Sequence, residues 1–103
     1  MKYERTADFK RDWRQLSRSQ QERFRRVVFE QFVPACERRS IDSALPWPRS
    51  LRVRTVVGAP GVWEMTWSFA GPDGRATFEW MVIEDEPRIR WRRIGFHAIF
   101  EEP

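Results

Sequence analysis

The stretch that decides the fold of this chain reads Arg88-Ile89-Arg90-Trp91-Arg92-Arg93-Ile94-Gly95-Phe96-His97-Ala98-Ile99-Phe100. Its β-branched and aromatic residues are typical of a strand. Because side chains alternate between the two faces of a strand, we expect Arg88, Arg90 and Arg92 on one face and Ile89 and Trp91 on the other. Gly95 can bend the strand, which leaves the facing of Arg93 and His97 open. The pattern predicts a strand that packs on one face and presents fixed positive charge on the other.

Length and composition favour one soluble domain spanning residues 1–103. A third of the residues are charged (33%), and no apolar run approaches the roughly 20 residues that a membrane-spanning helix needs. The N-terminal residues lack the apolar core of a signal peptide. A single cysteine, Cys36, cannot form an internal disulfide, which favours a cytoplasmic protein in which Cys36 packs as a small core residue.

Positive charge is concentrated in the first half of the chain. Residues 1–54 hold 14 Arg and Lys against 7 Asp and Glu, whereas residues 55–103 hold 5 against 8. Nearly all the positive residues are arginine, whose planar guanidinium suits phosphate recognition. This balance favours nucleic acid or an acidic protein as the partner.

The first part of the chain has helical periodicity. Thr6 can cap a helix that runs to about Arg18, with one apolar stripe formed by Phe9, Trp13 and Leu16. The run Ser19–Glu22 matches a capping box and predicts the start of a second helix. Pro34 is expected to stop or kink that helix, with a short continuation to Arg39 as the alternative. The two helices are predicted to form an antiparallel hairpin.

From residue 51 onward the period changes from 3.6 to 2. Strands are predicted over Leu51–Val57, Val62–Phe69 and Arg75–Ile83, and then over the arginine stretch. Their short connections imply an antiparallel meander, while residues 1–5 form either a short extra strand or a loose arm. The predicted fold class is α+β, with the helix hairpin on one face of a twisted, mainly antiparallel, four-stranded sheet.

The predicted sheet leaves one face open to solvent. In Val62–Phe69, the face that carries Trp63, Met65, Trp67 and Phe69 is expected to pack against the helices. Polar and charged residues can converge on the other face: Arg52, Arg54, Glu64, Thr66, Thr77, Glu79, Arg90 and Arg92. A basic floor with carboxylates and a nearby histidine is a plausible RNA site, and an ordinary solvated face with cross-strand ion pairs is the alternative.

Four motifs in succession carry a resemblance to a known family. They are Leu51-Arg52-Val53-Arg54, Gly61-Val62-Trp63-Glu64-Met65-Thr66-Trp67, Gly74-Arg75-Ala76-Thr77-Phe78 and Arg93-Ile94-Gly95-Phe96-His97-Ala98-Ile99-Phe100. With two helices before them, from about Phe9 to Phe100, they resemble the RelE/ParE superfamily of bacterial type II toxins. The resemblance is closest to the HigB-like and actinobacterial RelE-type branch.

That resemblance implies a toxin that cleaves messenger RNA in the ribosomal decoding site and is held inactive by a cognate antitoxin. Cleavage by attack of a ribose 2′-hydroxyl on the adjacent phosphate needs a base, an acid and positive charge on the phosphate. The implied catalytic residues are His97, Glu64 and Arg75, with His97 or Glu64 as base or acid. The implied RNA-binding residues are Arg52, Arg54, Arg90, Arg92 and Arg93.

The same resemblance implies no cofactor, and one histidine and one distant cysteine make no metal-ligand spacing. The implied partners are an acidic antitoxin, the ribosome and messenger RNA. The chain also departs from the family at three places. Glu64 and Thr66 stand where RelE has paired lysines, and Phe96 and Ala98 flank the histidine where branch members often have a small or polar residue and then Asp. The C-terminal catalytic tyrosine of RelE has no counterpart, because Tyr3 is the only tyrosine. Two alternatives therefore stay open, a ParE-like inhibitor that binds DNA gyrase and a toxin-like binding module without activity.

Overall fold

The computed structural model describes residues 1–103 and contains five strands and three α-helices. The strands are β1 (Lys2–Arg5), β2 (Arg54–Thr55), β3 (Trp63–Ser68), β4 (Gly74–Ile83) and β5 (Glu86–Gly95). The helices are α1 (Ala7–Gln15), α2 (Arg18–Val27) and α3 (Val33–Ile41). A π-helical turn, Val28–Phe32, joins α2 to α3, and 3-10 helices cover Arg49–Leu51 and His97–Glu101.

The sheet is mixed, with the strand order β1-β5-β4-β3-β2. Strands β2 to β5 form the predicted antiparallel meander, and β1 adds a fifth strand that runs parallel to β5. The prediction of four antiparallel strands is therefore wrong in number, and the optional N-terminal strand is confirmed. The pairing holds Tyr3 beside Ile89 at the middle of β5.

The helix hairpin is also wrong in detail, because a short helix leads into one long one. Thr6 caps α1 as predicted, with its Oγ1 accepting from Phe9 N at 3.1 Å, but α1 ends at Gln15. The capping box lies at Ser17 and Gln20, two residues before the predicted one. The sequence contains both patterns, and the earlier one is used because Leu16 already leaves the helical conformation.

Pro34 does not stop the second helix, which continues to Ile41. The ring of Pro34 would clash with the carbonyl of the residue four positions earlier in a regular helix. The π-turn before it widens the helix, and Val33 N donates to Val28 O across five residues. Helical residues 18–41 therefore form one long helix, and the predicted continuation past Pro34 is confirmed.

The core lies between this helical layer and the sheet. Phe24 of α2 meets Trp67 edge-on at 6.0 Å and Trp91 at 5.2 Å. Phe32 packs against Phe78 at 5.0 Å. Trp67, Trp91 and Phe78 are at most 4% exposed, so the predicted facing of the sheet toward the helices is confirmed. Phe69 is an exception, because a bulge between Thr66 and Ser68 ends β3 and leaves its ring 44% exposed.

Two predicted strands are shorter than expected. The strand predicted over Leu51–Val57 is reduced to Arg54–Thr55, because Leu51 turns into the core in a 3-10 helix and Arg52 adopts a left-handed conformation at φ 47°. The arginine strand ends at Gly95 instead of Phe100, and the residues after it form the 3-10 helix that contains His97.

The face of the sheet opposite the helices is only partly open. The last residue of the described chain lies across it, since the carbonyl oxygen of Pro103 accepts from Thr77 Oγ1 at 2.9 Å and from Arg92 Nε at 3.1 Å. Thr77 and Thr66 are at most 1% exposed. The prediction of a fully open face is therefore wrong at its centre.

Cys36 lies in α3 and is fully buried. Burial raises the pKa of its thiol to about 12, so the thiolate does not form near neutral pH. The interpretation of Cys36 as a small core residue is confirmed.

Gly74 at the start of β4 lies directly under the ring of Trp67. A Cβ at this position would meet the ring atoms at 2.6–2.9 Å, and Trp67 is enclosed by Phe24 and Phe96. We expect Gly74→Ala to lower the free energy of unfolding by about 1–3 kcal/mol, because overpacking forces the ring or the strand to shift. Chemical denaturation measures this loss. The matched control is Gly71→Ala, whose added Cβ has no atom within 4 Å, and equal losses in the two variants would contradict the overpacking.

Candidate functional site

An open cleft of about 490 Å³ lies where β2, β3 and β4 meet the 3-10 helix after β5. Register explains how the strands contribute, because Arg54 pairs with Glu64 across β2 and β3, and Arg75 of β4 pairs with Thr66. Residues from four segments line the cleft: Arg54, Thr55, Val56, Val57, Glu64, Arg75, His97 and Phe100. The cleft thus contains all three predicted catalytic residues, His97, Glu64 and Arg75, together with Arg54.

Glu64 forms the floor of the cleft between two arginines. Its side chain is 7% exposed, Arg54 Nε donates to its Oε1, and Arg75 Nη1 lies 3.5 Å from the same oxygen. Arg75 also lies 3.6 Å from Asp73. A buried carboxylate in contact with two guanidiniums holds both in position. This geometry suits positioning of the arginines better than proton exchange by Glu64.

Arg54 is the exposed cation of the cleft. Its side chain is 68% exposed, against 18% for Arg75. The Arg54 guanidinium pairs with Glu64 through Nε, and its exposed remainder lines the cleft, where it can bind an anion without leaving Glu64. Arg54 is therefore suited to contact an anion that enters the cleft, and Arg75 to provide fixed charge behind it.

His97 reaches the cleft from the turn after Gly95. Its side chain is exposed and forms no hydrogen bond or ion pair, and its ring meets Phe100 edge-on at 5.7 Å. A second, smaller cleft of about 190 Å³ on its other side is lined by Pro72, Asp73, Arg75 and His97. Histidine is the residue type that exchanges protons near neutral pH, so His97 is available to a bound molecule on either side.

These groups together fit a phosphate diester and its neighbouring hydroxyl. Guanidiniums of Arg54 and Arg75 can bind the anionic oxygens, and the imidazole of His97 can move a proton. No three His, Cys, Asp or Glu side chains form a group that could hold a metal ion. No helix has the length and apolar character needed to cross a membrane.

Comparison with solved structures finds two similar folds from E. coli. A double-mutant form of the toxin RelE in the free state superposes with a TM-score of 0.58 over 98% of this chain and 90% of that chain, at 13% identity. A chain of the intact RelBE toxin–antitoxin complex gives a TM-score of 0.53 over 92% of this chain and 94% of that chain, at 14% identity. The chain has the RelE fold. No protein-family model and no curated protein sequence matches it.

The finer resemblance to the HigB-like branch stays a prediction. At 13–14% identity the comparison carries the fold alone.

Four of the five predicted RNA-binding arginines of this chain do not line the larger cleft. Arg93 donates to Asp12 of α1 at 2.6 and 3.1 Å, and this hydrogen bonding raises its pKa. Arg90 pairs with Glu4 at 2.7 Å, and Arg92 pairs with Glu79 at 3.2 Å. Arg52 lies over the ring of Phe69 at 4.9 Å. Arg90 and Arg92 take part in the cross-strand ion pairs that were the alternative interpretation of this face, whereas Arg93 pairs with helix α1.

Asp73 and Phe100 line the two clefts and were not among the predicted site residues. Asp73 lies in the hairpin turn two residues before Arg75, and it lines the smaller cleft beside His97. An acidic turn residue so close to a predicted catalytic arginine was an available signal. Phe100 had no such signal, because it reaches the cleft only through the 3-10 helix that replaces the end of the predicted strand.

Proposed function

We propose that this protein is the toxin of a type II toxin–antitoxin system and cleaves messenger RNA on the ribosome without a metal ion. One observation carries the proposal: His97, Arg54 and Arg75 come from separate segments and meet in one open cleft over the buried Glu64. The RelE fold supports the toxin class, since the similar structures are a toxin and a toxin–antitoxin complex.

In the proposed reaction the ribose 2′-hydroxyl attacks the adjacent phosphorus and the bond to the leaving 5′-oxygen breaks. His97 moves a proton at one of these two oxygens. Arg54 and Arg75 bind the phosphate oxygens and stabilise the charge that develops on them. Glu64 holds both guanidiniums in place, and Asp73 supports Arg75 from the turn. A group of the messenger RNA, the ribosome or the solvent transfers the proton at the other oxygen.

The proposed partners are a cognate antitoxin, the ribosome and messenger RNA. The E. coli relative RelBE is itself a toxin–antitoxin complex. Exposed arginines and a formal net charge of +4 favour an acidic antitoxin segment and the phosphate-rich surface of the ribosome.

A second candidate is a toxin that acts by binding alone, for example on DNA gyrase. The observation in its favour is that Glu64 is occupied by two arginines, which leaves His97 as the only proton-transfer side chain free in the cleft. Cell-free translation separates the two. A message cut at defined codons only when ribosomes are present supports the nuclease, whereas an intact message with inhibited gyrase supercoiling supports the binder.

Removing Arg54 is expected to weaken RNA binding through charge. We expect Arg54→Ala to lower the slope of log affinity against log salt by about 0.7 for single-stranded RNA, because one phosphate contact is lost. Fluorescence anisotropy over a salt series measures the slope. Arg18→Ala is the matched control, since Arg18 pairs with Glu22 on the surface of the long helix, outside both clefts. A control variant with the same loss would show that net charge, not the cleft, sets the affinity.

A further inference from the structure

Two arginines of the long helix are exposed and unpaired beside the sheet. Arg23 and Arg26 form no ion pair and no side-chain hydrogen bond, whereas Arg18 pairs with Glu22 and Arg25 lies over Trp13 at 5.0 Å. A spacing of three residues places the two guanidiniums on the same side of the helix. Their charge is therefore not used within the chain.

Both arginines line a groove of about 400 Å³ between α2 and the loop from β3 to β4. The groove also presents the polar side chains of Ser19, Gln20 and Ser68, and Phe96 contributes an aromatic wall beside Trp67. None of its lining residues is acidic. A polar groove with two free guanidiniums and no carboxylate favours an anionic ligand.

The groove adjoins the candidate catalytic cleft. Pro72 lines both the groove and the smaller cleft that contains His97, and His97 also lines the larger cleft. Phe96 of the groove directly precedes His97 in the chain. The three cavities thus follow one another from Arg26 past His97 to Arg54, and we call this path the trough.

We propose that the groove at Arg23 and Arg26 is a second phosphate-binding subsite for single-stranded RNA, next to the nucleotide held at His97. The planar guanidiniums bind backbone phosphates, and the Phe96 ring provides a surface on which a base can stack. This subsite rests on the proposed function. It assigns to the protein an RNA footprint longer than the scissile dinucleotide.

The test compares two double variants that remove the same charge. Arg23→Gln with Arg26→Gln removes the subsite, and Arg14→Gln with Arg38→Gln is the matched control, because Arg14 and Arg38 are exposed, unpaired and outside the trough. The probes are a labelled single-stranded RNA of about ten nucleotides and a dinucleotide. Thermal unfolding establishes that each variant is folded.

For the longer RNA, the subsite variant is expected to lose affinity by about tenfold or more at low salt, since charged hydrogen bonds to phosphate are lost. The slope of log affinity against log salt should fall by about 1.4, because two phosphate contacts are lost and each contributes about 0.7. The dinucleotide should bind both variants and the wild-type protein equally, because it occupies only the clefts at His97. The control variant should keep the wild-type slope with the longer RNA.

A wild-type slope in the subsite variant, or an equal loss in the control, overturns the subsite. Ribosome-dependent cleavage by the wild-type protein is measured as well, so that failure of the subsite can be told apart from failure of the proposed function. If the wild-type protein cleaves messenger RNA and the subsite variant keeps the wild-type salt slope, the proposed function holds and the subsite is wrong. If the wild-type protein does not cleave and the salt slope of the subsite variant falls, the groove binds RNA and the nuclease proposal is wrong.

Discussion

Replacing His97 by alanine is expected to reduce ribosome-dependent cleavage of messenger RNA by about 10²–10⁴-fold, the usual contribution of a positioned proton-transfer group. His97 is exposed and makes no hydrogen bond, so its removal disturbs little of the structure. Thermal stability and affinity for single-stranded RNA should stay close to those of the wild-type protein. Primer extension on ribosome-bound message measures the cleavage rate.

The chemical role of His97 is separated from a contact role by a second variant. His97→Gln keeps a polar side chain of similar reach but cannot exchange a proton near neutral pH, so it should lose as much cleavage as His97→Ala. Restored cleavage in His97→Gln would make His97 a binding residue. Full cleavage in both variants would remove His97 from the mechanism and leave the binding-only toxin as the better proposal.

Truncating Trp67 to alanine is expected to lower the free energy of unfolding by about 3–5 kcal/mol. Trp67 is 1% exposed, lies between Phe24 and Phe96, and donates from Nε1 to the carbonyl of Arg75 at 3.0 Å. The variant therefore loses buried apolar surface and leaves a cavity under α2. Because a small domain has a total stability of about 5–15 kcal/mol, this loss is a large part of it.

Chemical denaturation of Trp67→Ala measures the loss, and Phe69→Ala serves as the control. Phe69 lies two residues further along the same segment, yet its ring is 44% exposed. We expect Phe69→Ala to cost well under half as much as Trp67→Ala. Equal costs would mean that the sheet presents the wrong face to the helices, and the position of Glu64 in the cleft would be wrong with it.

The faces of the strands were predictable because alternation is a local property. Ile89, Trp91, Met65 and Trp67 occupy every second position, and each is buried on the helix side. Arg88, Arg90 and Arg92 share the other side of β5 up to a bulge opposite Thr77 and Phe78. Short turns fixed the order of β2 to β5 in the same way, since neighbouring strands joined by tight turns pair with each other.

The candidate cleft was predictable in its residue types and not in its shape. His97, Glu64, Arg75 and Arg54 were identified from the sequence, but Arg90, Arg92 and Arg93 were grouped with them as RNA-binding residues. The structure separates them, because Asp12, Glu79 and Glu4 from distant segments pair with those three arginines. Partners 13 to 86 residues apart in the chain leave no local pattern.

The sequence by itself determined the α+β class, the facing of the apolar residues and the residue types that chemistry at a phosphate requires. Only the tertiary structure decided that β1 pairs parallel with β5, that the long helix passes Pro34 through a π-turn, and that Pro103 covers Thr77. Local periodicity is set by the geometry of one helix or strand, so a single segment encodes it. Parallel pairing, ion-pair choice and the closing of a cleft depend on which distant segments become neighbours, and packing alone decides that.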